Sequence, residues 1–592
     1  MMLEKRTANG NMIAKLIFRL LPIQILLCLI GAINSIVSSL FASNYVGVDA
    51  MSAVGLYSPI SMFIGAVSTM LVGGAAILCG KYMGKDQVES TQNVFSLSNS
   101  IAVILSVVFV LTLVIFGVFD LTGIFTKDPA VRPLFNQYLL GQAIGVLPQM
   151  LGNLLASFLS LENKIRRTTV ASIIYIAVNV VLNFLFVQVM HLEAFGLALA
   201  SSLGLWVFFI LEAVYFFSPE SNLHFSVKHL QWRESGEIIR IGVPGAMSYG
   251  YQTLRGFIVN GLITAFVGSV GLSAFTAANT LLGFVWALPG GMLAVSRMLI
   301  SISVGEEDRQ TLTDVMRNMF FRFLPLQAVV SALIIVCAVR LTRLYYQDAS
   351  APVFMMTVWG FRILPICMPL SIICMHFTCY GQASDKQGLV HVLAILDGVV
   401  CVAGFTAILI PKLGMNSVYI ANVLNGVVTT IVIVAYSVLK NRHWPKNMDE
   451  LMVIPEDFGV PENERMDLSL KSMEEVVNIS QQIQNFCREK GIDRRRAYLA
   501  GLSMEEMAGN IVDHGFTKDS KKHSVDVRVV HKDDSLILRL KDDCVPFDPA
   551  ERQRVVDPED EMKNIGIRMT YAMADDISYQ NILGLNVLTI RI

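Results

Sequence analysis

The sequence predicts two fold classes in one chain. A polytopic α-helical membrane domain of twelve spans in two six-helix halves comes first, and a soluble α+β domain follows it. Three observations carry this. Residues 1–445 hold 26 Lys and Arg against 19 Asp and Glu, net +7, whereas residues 446–592 hold 20 against 28, net −8. The first part is about 10% charged and the second about 33%, where a soluble protein averages roughly 25%. Apolar runs long enough to cross a bilayer core of about 30 Å recur up to residue 439, and beyond Lys446 the pattern turns to amphipathic helices and alternating strands. A net charge of −1 over 592 residues with 54% hydrophobic residues excludes a nucleic-acid binder, a disordered chain and an ordinary soluble enzyme.

The spans are expected near 14–42, 54–80, 93–119, 134–160, 168–190, 195–217, 238–268, 275–303, 316–341, 354–381, 388–411 and 416–439. Lys and Arg choose their orientation. They concentrate at both tails and in the loops after even-numbered spans, as at Lys5, Arg6, Lys81, Lys85, Lys164, Arg166, Arg167, Arg309 and Lys440. Both termini are therefore expected on the cytoplasmic side of a bacterial-type inner membrane. The nine cysteines show no CxxC pairing and no regular spacing with His, which argues against a disulfide framework or a zinc site. No cleavable signal is evident, because the first apolar run is long enough to span and lacks a small-residue cleavage site.

The two halves repeat. VGVDAMSA at 46–53 returns as VGSVGLSA at 267–274, and GLALASSLG at 196–204 corresponds in place to GMNSVYIANVLN at 414–425. Either small apolar residues coincide by chance, or the chain is a six-plus-six repeat whose halves rock about a site at their interface. VSSLFASNYVGVDAMSAVGLYSPI at 37–60, VNVVLNFLFVQVMHLEAFGLALASSLG at 178–204 and LSLENKIRRTTVASIIYI between them resemble the multidrug and toxic compound extrusion (MATE) transporters over about residues 1–440. That resemblance implies a carrier that exports small organic compounds across the lipid bilayer against a Na⁺ or H⁺ gradient.

Members of that family often carry carboxylates where this chain has Ser38 and Asn183. Neither a hydroxyl nor an amide exchanges a proton near neutral pH. Asn34, Ser38, Asn179 and Asn183 either line a polar cavity or hydrogen-bond neighbouring helices. Charge inside a span costs at least ~2.5–3.5 kcal/mol on insertion scales, so Arg255, Arg362 and Asp397 are candidate cavity groups, with Gln252 beside them. Asp397 can pair with either arginine, as a moving cluster or as a fixed ion pair that sets helix register.

In the tail, MDLSLKSMEEVVNISQQIQNFCREKG reads as a strand and a helix and DRRRAYLAGLSMEEMAGNIVDHG as a second helix. VDVRVVH and SLILRLKDD read as strands, followed by the helix GIRMTYAMADD and a last strand LNVLTIRI. This order, over 466–592, resembles the GHKL ATP-binding fold and its anti-sigma-factor serine kinases. Glu506 and Asn510 lie one turn apart on one helix face, with His514 following. The resemblance implies that Asn510 holds Mg²⁺ and that Glu506 polarises the attacking hydroxyl or water. It gives Asp542 to the adenine amino group, and Phe547-Asp548 and Asn564-x-Gly566 to the nucleotide boxes. One glycine of each glycine pair is missing, replaced by Cys544 and Asn564.

The expected organisation is therefore a carrier over 1–440 (halves about 1–225 and 226–440), a linker over 441–465 and an ATP-binding domain over 466–592. The expected cofactors are ATP and Mg²⁺ in the tail and Na⁺ or H⁺ as coupling ion. The tail would regulate export or phosphorylate a serine of a partner resembling an anti-sigma antagonist, and it can also pair with a second copy. Two other classes fit the same features: a membrane receptor whose output is the tail, and a flippase for lipid-linked precursors.

Overall fold

The computed structural model describes residues 14–29, 48–85, 87–124, 129, 131–226, 230–346, 348–516, 523–532, 534–546, 548–550 and 565–592. Among them, ten helices are long and apolar enough to cross a membrane, from Pro59–Gly84 to Asn416–Asn441. They correspond to expected spans 2–6 and 8–12. The first expected span is described only over 14–29, and the seventh, Ser235–Phe266, is 32 residues long but carries Ser248, Gln252, Thr253 and Arg255 along its middle.

Several spans depart from single ideal helices, and each departure has a local cause. The eighth, expected over 275–303, is broken at Trp286 into Ser269–Val285 and Ala287–Gly305. The ninth contains a π turn at Met319–Phe323 just before Pro325; the missing N–H there deprives the Phe321 carbonyl of its ordinary partner and widens the turn. The tenth tightens to a 3₁₀ turn at Leu364–Ile366, around Pro365. The eleventh has a π turn at Leu396–Val400 that contains Asp397, a distortion common at functional sites.

The halves meet most closely at one end. A Cβ placed on Gly74 would lie 2.0 Å from the Ile238 carbonyl oxygen, and one on Gly242 2.0 Å from that of Met70. One turn or more beyond, Gly84 and Gly305 make the same approach to the carbonyl oxygens of Ile302 and Lys81, at 2.3 and 2.0 Å. Helix Val48–Gly84 of the first half thus packs backbone to backbone against Ser235–Phe266 and Ala287–Gly305 of the second. Only glycine permits that. An ion pair from Lys81 to Asp385 (3.1 Å) adds to the closure.

The soluble part is a five-stranded antiparallel sheet in the order β1 (Arg465–Leu470), β2 (Val525–Lys532), β3 (Ser535–Asp542), β5 (Leu585–Arg591), β4 (Asp576–Ile582). Strand β4 is absent from the sequence reading: DISYQNI shows no clean alternation, because it is a half-buried edge strand. The register Val525↔Asp542 puts Val527, Val529, Leu538 and Leu540 on one face, where they pack on helices Met473–Glu489, Arg494–Asn510 and Ile565–Met573. Asp526, Arg528, Arg539 and Lys541 fall on the opposite face, as strand alternation requires.

That charged face lies on the membrane part. Arg528 pairs with Asp308, Lys541 with Glu306 at 2.5 Å, and Lys532 with Glu307 at 2.6 Å. These three acids form the turn after Ala287–Gly305, in the second half. The β4–β5 turn reaches the first half instead: the Leu583 N–H donates to the Leu161 carbonyl at 3.1 Å, and Ile582, Leu583 and Val587 join the carrier's apolar core. The segment expected as a linker is packed as well. Arg309 grips Asp449 through three bonds and the Pro455 carbonyl at 2.7 Å, while Lys386 donates to the Met452 and Val453 carbonyls.

Candidate functional sites

Among the described residues, a polar cavity of about 840 Å³ opens in the membrane part, lined mostly by the second half and closed on one side by Pro59 and Met62 of the first. Its wall includes Tyr249, Gln252, Arg255 and Asn260 from Ser235–Phe266, Asp397 from the π turn, and Asn422 and Asn425 from Asn416–Asn441. Counted from Ser235, Tyr249 is 14 residues along its helix, about 21 Å at 1.5 Å per residue. The cavity therefore occupies the middle and far part of the spans, away from the glycine closure and the tail.

Asp397 is not ion-paired with either arginine through its carboxylate in the way the sequence suggested. Arg255 Nη1 donates to the Asp397 backbone carbonyl at 3.2 Å, and the carboxylate accepts from Asn425 Nδ2 at 2.8 Å. The π turn frees that carbonyl from the regular helical ladder and aims it at Arg255. Gly398, next in sequence, admits Tyr251 against its backbone. Arg362 lies elsewhere: its guanidinium stacks over Trp359 at 5.3 Å and it is not among the cavity residues.

In the first half, Asn179 and Asn183 are fully buried and face each other. Asn183 Nδ2 donates to the Asn179 carbonyl at 2.9 Å, and Asn179 Nδ2 to Ser201 Oγ at 3.3 Å. Neither lines the cavity. Asn34 and Ser38 lie outside the described residues. The sequence reading passed over Glu212, a fully buried carboxylate on Glu193–Phe216. The signal was available, since Glu212, well inside EAFGLALASSLGLWVFFILEAVYF, carries the same kind of insertion cost that singled out Asp397.

In the tail, helix Arg494–Asn510 brings Glu506 against the N-terminal turn of Ile565–Met573. A Cβ on Gly566 would lie 1.9 Å from Glu506 Oε2, so this glycine makes a cradle that any side chain would fill. Asn510 Nδ2 donates to the Glu506 carbonyl at 2.8 Å. Asp542, at the end of β3, is buried; its Oδ1 accepts from Asn586 Nδ2 at 2.8 Å and from the Cys544 N–H at 2.9 Å. Burial pushes its carboxyl above the usual range. Asp548 accepts from the Ala550 N–H at 2.8 Å, and burial beside it pushes the Tyr571 phenol up to about 12. His514 is mostly exposed, 3.7 Å from Asp513, and sits in a π turn, Ile511–Gly515, that ends the helix. Phe547 and Asn564 lie outside the described residues.

These residues fit a nucleotide and its Mg²⁺ in kind: a buried carboxylate that can accept, a glycine whose backbone closes against Glu506 with no room for a side chain, and amide and carboxylate oxygens for a hard cation. A second donor set stands beside them. His523 Nδ1 is 2.9 Å from Asp543, and with Cys544 their ligand atoms all lie within 4.8 Å of one another. It is continuous with the Asp542 end of β3.

The interface of tail and carrier is electrostatically tight. Glu306 and Asp308 are almost wholly buried, with side chains 2% and 6% exposed. Burial works against the charge on Asp308, but Arg528 and Lys541 hold its carboxyl well below the usual range. For Asp526 burial outweighs the cross-strand Lys541 and the nearby Ser469 hydroxyl and pushes it up to about 6.

Comparison with known proteins agrees with this layout. The MatE family model matches residues 22–185, and the histidine kinase-like ATPase domain model matches residues 471–592. The chain is 26% identical over 303 residues to "Probable multidrug resistance protein NorM" of Bacillus licheniformis, covering 49% of this chain and 64% of that one. It is 21% identical over 382 residues to "Multidrug export protein MepA" of Staphylococcus haemolyticus, covering 63% and 83%. Among solved structures, a MATE in complex with MaD3S superposes with a TM-score of 0.66 at 21% identity, over 71% of this chain and 94% of that one. The outward-facing conformation of a multidrug resistance MATE family transporter of the MOP superfamily does so at 0.64 and 20%, over the same shares. The chain is therefore a multi-pass membrane protein that carries a MATE family domain joined to a C-terminal histidine kinase-like ATPase domain.

Proposed function

We propose that this protein exports small organic compounds across an inner membrane by alternating access, driven by an ion gradient, with the tail acting as a clamp on that movement. Both termini would be cytoplasmic. The observation that carries the reading is the placement of the tail: it touches the first half at Leu161 and the second at Glu306–Asp308, on the same side as the glycine closure. To open the carrier towards that side the halves must part there. A domain bonded to both opposes the parting by however much its contacts are worth.

The substrate site would be the second-half cavity. A volume of about 840 Å³ suits one organic molecule, and Arg255, Asp397 and the asparagines give it both signs of polarity. A strongly cationic cavity, the feature that would favour lipid-linked precursors, is not supported by this wall. Arg362 stacks outside it, and Asp397 balances Arg255.

For the tail we propose nucleotide sensing. Asp542 would receive the base, Gly566 and the following helix N-terminus the phosphates, and Asn510 the Mg²⁺. When bound, Mg-ATP would bring phosphoryl chemistry to the site, with Glu506 placed to orient a hydroxyl or water. Lys541 and Asp542 are neighbours on β3, one holding Glu306 and the other set to read the base, so occupancy of the pocket would bear directly on the clamp. Export of a fluorescent organic cation from reconstituted vesicles, with and without Mg-ATP on the tail side, tests both parts. Export that ATP changes in the wild type but not in Asn510→Ala supports the reading. Export indifferent to ATP and to Lys541→Glu would show that the tail does not gate the carrier.

A further inference from the structure

We infer that Glu212 is a proton-binding carboxylate of the first half, placed at the tail-side end of a buried polar file that runs along the fifth span. The inference rests on the exporter reading for its role in transport, but not for its protonation.

Among the described buried carboxylates, the first half has Glu162 and Glu212. Glu162 is satisfied: it accepts from Ser221 Oγ at 3.1 Å and from the Asn222 N–H at 2.9 Å, outside the apolar part of the spans. Glu212 lies within a span, is 0% exposed, and neither of its carboxylate oxygens meets hydrogen-bond geometry with the protein. The neighbouring Thr168 hydroxyl is in the same condition. An ionised carboxylate in such a place loses its hydration and gains at most the nearby Thr168 hydroxyl in return, so the group is held as the neutral acid when the carrier is closed on this side.

Its surroundings extend it into a path. On the fifth span, Thr168, Ser172, Asn179 and Asn183 are all buried, and their spacings of four, seven and four put them on one helix face. Tyr175 completes the interval, packed under Gly204, where a Cβ would lie 2.9 Å from its ring. From Thr168 to Asn183 the file is about 22 Å long at 1.5 Å per residue, most of a bilayer core. Its far end is closed by the Asn179–Asn183–Ser201 bonds. At its near end, one turn past Glu212, Lys164 and Arg167 stand over the Tyr215 ring at 5.4 and 4.9 Å and pair with Glu220. Glu162 lies beside the same tyrosine. Opening of the halves that admits water to this end would let Glu212 release its proton towards that basic rim; reclosure would demand that it take one up. Among the described residues, Glu212 is the one carboxylic acid beside the file, whose Thr, Ser and Asn do not titrate and whose Tyr stays protonated.

The test uses the full-length protein in lipid vesicles, with protons alone as the ligand. Infrared difference spectra between about pH 5 and about pH 9 report protonated carboxyl groups. The wild type should show a carboxyl carbonyl component that is lost in Glu212→Gln and returns, with a shifted midpoint, in Glu212→Asp. In the same vesicles, Glu212→Gln should abolish the part of dye export driven by a pH step while leaving downhill dye exchange intact. The inference is overturned if the carboxyl component persists unchanged in Glu212→Gln, or if that variant keeps wild-type pH-driven export. If the wild type moves no dye but the component still disappears in Glu212→Gln, the exporter reading falls and the proton site stands.

Discussion

The two halves of the membrane part put their polar groups to opposite uses. In the first half, Asn179, Asn183, Thr168 and Glu212 are sealed within helix contacts and face no described cavity. In the second, Arg255, Asp397, Asn422 and Asn425 surround about 840 Å³ of open space. The same division continues at the tail. The first half receives a backbone hydrogen bond from the β4–β5 turn, whereas the second receives buried ion pairs from β2 and β3. The described polar groups are thus sorted: those of the first half are packed within helix contacts, while those of the second face open space.

The largest effect on this division should come from the contact that brings the halves together. Gly242→Val puts side-chain atoms where the Met70 carbonyl oxygen now lies, 2.0 Å from a Cβ, and a backbone oxygen cannot step aside as a side chain can. Overpacking of this kind costs about 1–3 kcal/mol even where neighbours adjust. The expected outcome is a protein that still inserts but cannot close on the tail side, with export lost. Cysteine accessibility on that side should rise in step with the loss. A Gly242→Val protein exporting at the wild-type rate would break the view that this contact is a closed gate.

Next in size is a paired comparison of the halves. Asn183→Ala leaves the Asn179 carbonyl and a buried helix contact without their partner, worth about 1–3 kcal/mol, so it should lower the melting temperature. Substrate affinity should stay near the wild-type value. Asp397→Asn keeps the shape and an acceptor for Asn425 while removing a charge from the cavity wall. It should alter apparent affinity for cationic substrates by roughly tenfold, the equivalent of about 1.4 kcal/mol, and leave stability nearly alone. Equal behaviour of the two variants in both assays would dissolve the distinction between packed and open polar groups.

Much of this was legible in the residues. The charge step near residue 446, the run lengths and the period-2 strands β2 and β3 each state one physical preference strongly, and the structure follows them. Glu506 and Asn510 share a helix face because helical spacing is a local rule, whereas the approach of Gly566 to Glu506 is a tertiary contact that no local pattern states. Strand β4 was not readable, since an edge strand is half-buried on both faces and leaves no alternation. Arg362 misled because insertion cost says that a charge needs an explanation, not which explanation it has; stacking on Trp359 serves as well as a cavity. The docking of Arg528 and Lys541 on Glu306–Asp308 depends on contacts more than 200 residues apart in the case of Lys541 and Glu306, beyond any window of sequence pattern. The anionic triplet at 306–308 showed only as three charges in a loop.

The smallest effect tests the tail's unequal grip. Asp526 sits on the charged face of the sheet with its folded pKa raised from 3.8 to about 6 by burial. A raised acid pKa favours the protonated form in the docked state, so this group's contribution is fully present below about pH 4. It fades as pH rises towards about 6 and is constant above that. Asp308 behaves in the opposite sense: its carboxyl is held low by Arg528 and Lys541, so its share is complete above the usual carboxylate range and lost only in acid. Between about pH 4 and about 6 the balance should therefore tilt against docking through Asp526, by at most about 3 kcal/mol for a two-unit shift, and Asp467 on the same face, also raised by burial, adds in the same sense. Hydrogen exchange of β2 and β3 should quicken over that window, while the β4–β5 turn at Leu161, which holds no titrating pair, should respond less. Asp526→Asn should remove its share of the dependence and protect β2 at neutral pH. A uniform response of all five strands would mean that the tail leaves the carrier as one rigid piece and that its two contacts are not separable.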